Sequence, residues 1–195
     1  MDISHEESLM LVTQVQKAHR LAAGFYQRML PAFESLAQSL DTSFWYWQSN
    51  LFSRPAGRYT YPGKQWSWDL LPMSAPLFVF LRQDGPHMQI SDLVLEFQLQ
   101  LDPALTQASK KGQPDPVVMV NSEPLLLVYL YWPTEEAKED LKTEWEAAIY
   151  PVGTAGQMEV VSPKLKAVRL EFPLSEFVQN AGAIETTIRS HLQLK

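Results

Sequence analysis

From Asp92 to Leu101 the sequence reads DLVLEFQLQL. Leu93, Leu95, Phe97, Leu99 and Leu101 alternate there with Asp92, Val94, Glu96, Gln98 and Gln100. Successive side chains on a strand point to opposite faces, so strict alternation over this length predicts a β-strand. The Leu/Phe set is expected to face a core and the Glu96/Gln98 set to be the polar face of an antiparallel sheet. Leu77–Leu81 and Leu125–Trp132 are apolar without alternation, which predicts strands buried on both sides. Val117–Val120, Met158–Val161 and Val168–Phe172 are expected to add shorter strands. Asp102–Pro116, rich in Pro, Gly, Ser, Lys and Gln, is expected to be a loop.

Helical spacing brackets these strands. Ser4-His5-Glu6-Glu7 fits a capping box, in which hydroxyl and carboxylate each satisfy a free backbone N–H. Leu11, Val15, Ala18, Ala22, Phe25 and Met29 follow every three or four residues. Pro31 predicts a kink or break near Leu30, because an interior proline removes a hydrogen bond and clashes with the preceding turn. Thr134 is expected to cap a second helix with Ala137, Leu141, Trp145, Ala148 and Ile149 inward. Its outer face carries Glu135, Glu136, Glu139, Asp140, Glu144 and Glu146 against Lys138 and Lys142, a surplus of four negative charges. Ser175 is expected to cap a third helix with the stripe Phe177 or Val178, Ala181, Ile184, Ile188 and Leu192, weakened at Gly182.

Thr42–Pro72 holds Phe44, Trp45, Tyr46, Trp47, Phe52, Tyr59, Tyr61, Trp66 and Trp68, including four of the six tryptophans. Phe44–Trp47 lacks alternation and is expected to extend the preceding helix or cap it against the sheet. Tyr59–Tyr61 and Trp66–Trp68 alternate and predict strand pieces. Such rings fill a core or, with Arg54, Arg58 and Lys64 beside them, form a binding patch. The expected architecture is therefore α+β: a mainly antiparallel sheet of about five strands, a long kinked N-terminal helix and two further helices. It is read as a single domain, 1–195, with a helical segment 1–41, an aromatic hinge 42–72 and a sheet with two helices over 73–195.

The net charge of −6 argues against general nucleic-acid binding, which calls for a basic footprint. With no cysteine, the chain has no disulfide, thiolate zinc site or thiol nucleophile. The polar, acidic start MDISHEESLML is not read as a signal peptide, and the longest apolar runs are too short to span a bilayer. A cytoplasmic protein without a membrane partner is expected.

The histidines His5, His19, His87 and His191 have no HExxH spacing, and GxSxG, GxxxxGK[ST] and GxGxxG are absent. One acidic pattern remains: Asp69 or Asp92, followed by Glu96-Phe97-Gln98. With the element order helix, strands, helix, strand, it is similar to the core of the PD-(D/E)XK restriction-endonuclease-like superfamily. That resemblance implies metal-dependent phosphodiester cleavage, with an acid and an acid-x-Lys triplet holding Mg²⁺ and a water. Gln98 stands where that pattern has lysine. Asp92 lies about 13 Å along a strand from Glu96, so Asp69 is the better co-ligand, with Lys64 in place of the missing lysine.

A non-catalytic protein-interaction module is the leading expectation: a bacterial-type immunity protein, antitoxin or adaptor. It needs no catalytic residue, metal or cofactor. Its expected interface comprises Trp45, Trp47, Arg54, Arg58, Glu139, Asp140 and Glu146, with a basic partner where the acidic helix docks. The alternatives are the metal-dependent nuclease-like reading on Asp69, Glu96 and Gln98, and a small-molecule binding domain whose rings line a pocket.

Overall fold

A run of helix, six strands and two further helices makes up the regular structure of the described residues in a computed structural model of the chain. It describes residues 3–52, 55, 57–105, 112–116 and 119–193. The fold is α+β, as the alternation and helical spacing predict. The elements are α1 (His5–Ser39), β1 (Ser43–Ser49), β2 (Pro76–Arg82), β3 (Leu93–Gln100), β4 (Leu125–Pro133), α2 (Leu141–Ala147), β5 (Met158–Val160), β6 (Leu165–Pro173) and α3 (Leu174–Gln193). The chain divides into two compact units, Met1–Ser35 and Leu36–Lys195.

In the first unit the expected capping box is present. Ser4 N–H donates to Glu7 Oε2 at 2.7 Å, and Glu7 N–H donates to Ser4 Oγ at 3.2 Å. Leu9, Leu11, Val12, Val15 and Leu21 are exposed along this helix. Of the kink or break expected at Pro31, a break does not occur, and α1 runs through to Ser39.

In the second unit the strands form one sheet in the order β1-β2-β3-β4-β6-β5, with every pair antiparallel. After α1, Asp41 adopts a left-handed conformation (φ 56°) and turns the chain into β1. Asp and Asn visit that region more readily than most residues, because a short polar side chain bonds locally. Phe44–Trp47 is thus strand, not a helical extension. Its missing alternation has a physical cause: the β1–β2 register shifts between Phe44 and Tyr46, a bulge that inserts one extra residue. Trp45 and Tyr46 consequently lie on one side, 4.9 Å apart, and both rings contact Trp145. Tyr59–Tyr61 and Trp66–Trp68 are not strands. Pro62–Lys64, Ser67–Leu70 and Pro72–Ser74 are short 3-10 turns.

The β3 expectation needs the largest correction. Leu93, Leu95, Phe97 and Leu99 are buried as expected, but so are Val94, Glu96 and Gln98. β3 lies third in the order, and both of its faces are covered. On the Glu96 face, Leu77, Val79, Val94, Leu127, Tyr129, Tyr131 and Ala167 pack against Leu141 and Trp145 of α2. On the opposite face Phe97 meets Phe80 edge to face at 5.7 Å. α3 contacts β4 and β6 and buries Leu174, Phe177, Ile184 and Ile188.

α2 is shorter than expected, because it begins after Asp140 rather than at Thr134. α3 is interrupted at Asn180 (φ −154°, ψ 78°), two residues before the glycine suspected of weakening it. The Asn180 side chain accepts a bond from Ala183 N–H at 3.2 Å, so it caps the second segment. Of the expected strand Val117–Val120, residues 117 and 118 lie outside the described residues, and Met119 and Val120 are not in a strand.

Asp92, the first acid of the alternating run, holds the turn into β3. Its Oδ2 accepts from Gln89 N–H at 2.8 Å and its Oδ1 from Asp84 N–H at 3.3 Å, and the residue is fully buried. Removing it leaves two backbone donors without their partner, a loss of about 1–3 kcal/mol for each group left unsatisfied. Asp92→Ala is expected to lower the unfolding free energy by about 2–4 kcal/mol in urea titration. A loss below about 0.5 kcal/mol would remove Asp92 as the organiser of this turn.

Candidate functional site

β3 carries Glu96 and Gln98 into the interior on the face that α2 covers. Glu96 stands directly across from Val79 on β2 and Tyr129 on β4. Its relative exposure is 0%. Gln98 Nε2 donates to Glu96 Oε1 at 2.6 Å. Asn50, just past β1, donates from Nδ2 to Gln98 Oε1 at 3.0 Å and so fixes which way the amide points. Tyr150 donates its hydroxyl to the same Glu96 Oε1 at 2.9 Å. Glu96 Oε2 is buried and has no hydrogen-bond partner among the described residues.

Four phenols, those of Tyr46, Tyr129, Tyr131 and Tyr150, interact electrostatically with this carboxyl and belong to a larger ring cluster. Trp45 and Tyr46 from the β1 bulge meet Trp145 of α2 at 5.4 and 6.0 Å between centroids. Trp145 meets Tyr131 of β4 at 6.2 Å. Tyr131 and Tyr129 are two apart on β4, hence on one face, and stack at 6.3 Å. Tyr150, in the loop after α2, closes the group against Tyr129 at 5.0 Å and Tyr131 at 6.5 Å. Tyr150 is 42% exposed: its hydroxyl points inward while part of the side chain meets solvent. At the rim, Lys142 Nζ lies 5.0 Å from the centre of the Trp45 ring.

The electrostatics follow from burial. Desolvation raises Glu96 from an ordinary value near 4.5 to about 7, against the opposing hydrogen bonds from Gln98 and Tyr150. Burial, and then the proximity of Glu96, pushes the phenols of Tyr46 and Tyr129 up to about 12. Tyr131 and Tyr150 are displaced upward for the same reasons. The tyrosines therefore stay neutral, and Tyr150 remains a donor to a carboxyl whose own value is raised by burial.

Of the residues in the nuclease-like alternative, Glu96 and Gln98 are brought together. Asp69 is buried in the 3-10 turn Ser67–Leu70. Among the described residues no three His, Asp or Glu side chains are grouped as metal ligands. Of the proposed interface residues, Trp45 is half-buried in the ring cluster, while Trp47 and Arg58 are exposed. Arg58 lies 4.8 Å from the centre of the Tyr59 ring, and Arg54 lies outside the described residues. Glu139 pairs with Lys164 at 2.7 Å, Asp140 accepts from Gln83 Nε2 at 2.7 Å, and Glu146 is exposed.

Tyr129, Tyr131, Tyr150 and Asn50 were not among the expected site residues. The i, i+2 spacing of Tyr129 and Tyr131 within an apolar run signals a shared face. Tyr150 and Asn50 carry no local signal. Alternation alone makes Glu96 solvent-facing, because it does not report that α2 covers the polar face of β3.

The PM0109 family profile matches residues 5–193, and the chain belongs to that family. No curated protein and no solved structure matches the chain.

The raised Glu96 value carries a sign for stability. Between pH 4.5 and about 7 the unfolded chain releases this proton while the folded chain keeps it. Stability therefore falls as pH rises through that window, by about 3 kcal/mol when complete. Glu96→Gln keeps the acceptor oxygen without the charge. The variant is expected to match the parent near pH 4.5 and to exceed it by about 3 kcal/mol at pH 8 in urea unfolding. Parallel stability profiles for the two proteins would show that Glu96 does not titrate in this range.

Proposed function

We propose that this protein is a non-catalytic interaction module that takes a partner polypeptide along the open edge of its sheet at β1. One observation carries the reading. β1 is an edge strand of seven residues, and on its outer reaches Phe44 and Trp47 are 55% and 47% exposed. Edge strands of soluble proteins are normally short, charged or covered, because unpaired backbone groups beside apolar side chains invite another chain. Here the edge is long and aromatic, and its residues between Ser43 and Ser49 carry no formal charge. Such an edge suits strand addition, in which backbone hydrogen bonds supply affinity and alternate side chains supply selectivity.

The register explains which side chains a partner would meet. Phe44 pairs with Phe80 and Trp47 with Phe78, so both lie on the side away from Glu96. Phe44 touches Phe80 edge to face at 5.8 Å, and the exposed rings thus stand on a packed base. Aromatic anchors of this kind dominate binding energy at interfaces. Arg58, Glu146 and the free face of α2 supply charged groups elsewhere on the surface, and the net charge of −6 favours a basic partner. We place the protein in the cytoplasm, where a chain without cysteine needs no oxidising compartment. Among the described residues no helix is long and apolar enough to cross a membrane. The class proposed is a bacterial immunity protein, antitoxin or adaptor subunit, whose action is stoichiometric binding.

Phe44→Lys with Trp47→Lys tests the edge. Removing two aromatic anchors of ordinary strength is expected to weaken partner binding by about 30-fold or more, with the unfolding midpoint little changed because both side chains are exposed. Immobilised parent and double variant are to be compared for capture of a partner from the source cell. Amide exchange over residues 43–49 is then measured with the purified partner. Loss of capture together with protection of β1 is the expected result. Equal capture by the folded double variant would move the interface away from β1.

A further inference from the structure

We propose that Glu96 and the rings around it form a recognition site for an organic ammonium group, separate from the β1 edge and independent of the interaction reading. The carboxyl accounts for the charge class. A fully buried acid normally has a cationic partner or a full set of hydrogen bonds. Glu96 has Gln98 and Tyr150 on Oε1, and no donor on Oε2 among the described residues. No salt bridge reaches it among the described residues, and Arg169, the cation nearest in register to Tyr129, is paired with Glu171 at 3.0 Å.

The rings account for the rest of the ligand. The faces of Tyr and Trp attract cations, by about 0.5–2 kcal/mol for each well-placed ring. Tyr46, Tyr129, Tyr131 and Tyr150 each interact electrostatically with Glu96, and Trp145 packs on Tyr46 and Tyr131. The rim already shows the preference, because Lys142 places its ammonium over Trp45. An anion is repelled by Glu96, and a neutral apolar ligand leaves Oε2 unpaired. A guanidinium binds best through two parallel bonds to both carboxylate oxygens. Oε1 keeps its bond from Gln98, which leaves Oε2 as the open acceptor and favours a single-point donor. An alkylammonium group has that donor and an apolar stem for the rings.

Tyr150 is the wall that can move. It lies outside regular structure, part of its surface is exposed, and its hydroxyl tethers it to the carboxyl. A ligand N–H takes Oε2 as the ring swings outward and the Tyr150 O–H leaves Oε1. The same hydroxyl therefore competes with the ligand.

The test is a titration with n-butylammonium, followed by the ring proton resonances of the full-length protein. 1-Butanol serves as the neutral counterpart and n-propylguanidinium as the planar cation. Saturable binding of n-butylammonium is expected, with at least tenfold weaker binding of both counterparts. Glu96→Gln is expected to weaken n-butylammonium at least tenfold. Tyr150→Phe is expected to tighten it severalfold, because the competing hydroxyl is gone while the ring stays. A lysine-containing peptide and its Nε-acetylated form separate a side-chain ligand from a free amine; binding of either ammonium source supports the proposal. No saturable ammonium binding in the parent or in Tyr150→Phe, or equal binding of 1-butanol, would overturn it. Unchanged affinity in folded Glu96→Gln would do the same. Neither outcome bears on the β1 edge, whose test uses different residues and a different readout.

Discussion

A carboxyl group held away from water dominates the second unit. Putting Glu96 on β3, third in a six-stranded order with both faces covered, means that no solvent satisfies it. A buried ionised acid is costly enough that it either gains partners or shifts towards its neutral form. Both responses are present. Gln98 and Tyr150 donate to one oxygen, Asn50 orients Gln98, and the proton is retained to about pH 7. The polar chain Asn50–Gln98–Glu96–Tyr150 thus ties the end of β1 to β3 and to the loop after α2. Deleting any member would leave another without its partner, and the penalty for an unmet buried group exceeds the net gain from an ordinary bond.

The rings over this carboxyl depend on a backbone irregularity. In a regular strand Trp45 and Tyr46 would face opposite sides of the sheet. The β1 bulge turns both towards Trp145 and leaves Phe44 and Trp47 on the other side, at the edge. One inserted residue therefore divides four consecutive aromatics between two surfaces. The inner pair packs on Trp145. The outer pair supplies the exposed rings on which the proposed strand addition relies.

α2 is short, and its hold on the sheet rests on Leu141 and Trp145 rather than on helix length. Isolated helices of this size are not stable in water, so packing decides its existence. The acids around it are partly neutralised from elsewhere in the chain, since Lys164 reaches Glu139 at 2.7 Å and Glu144 at 3.9 Å. That leaves Glu146 as the acid of the expected interface with the fewest ties, on the helix whose buried side carries the central tryptophan of the ring cluster.

Local chemistry alone determined a good deal. The capping box at Ser4 and Glu7, strands β2, β3, β4 and β6, the final helix and the α+β class all follow from spacing and cap residues acting within a few positions. Period and capping are local properties, which is why they were legible. Only the tertiary structure decided that the polar face of β3 is interior, because alternation reports two faces without saying whether a second layer covers the polar one. The same holds for Phe44–Trp47, where the bulge depends on pairing with a strand some 30 positions away. It holds for α2, whose start moved from Thr134 to Asp140 as Ala137 and Met88 paired across the fold. The candidate site combines Asn50, Glu96, Gln98, Tyr129, Tyr131, Trp145 and Tyr150. Apart from Glu96 with Gln98 and the tyrosine pair on β4, its members have no common local pattern. Sheet order and loop closure bring them together, and sheet order is set by the burial of every strand at once.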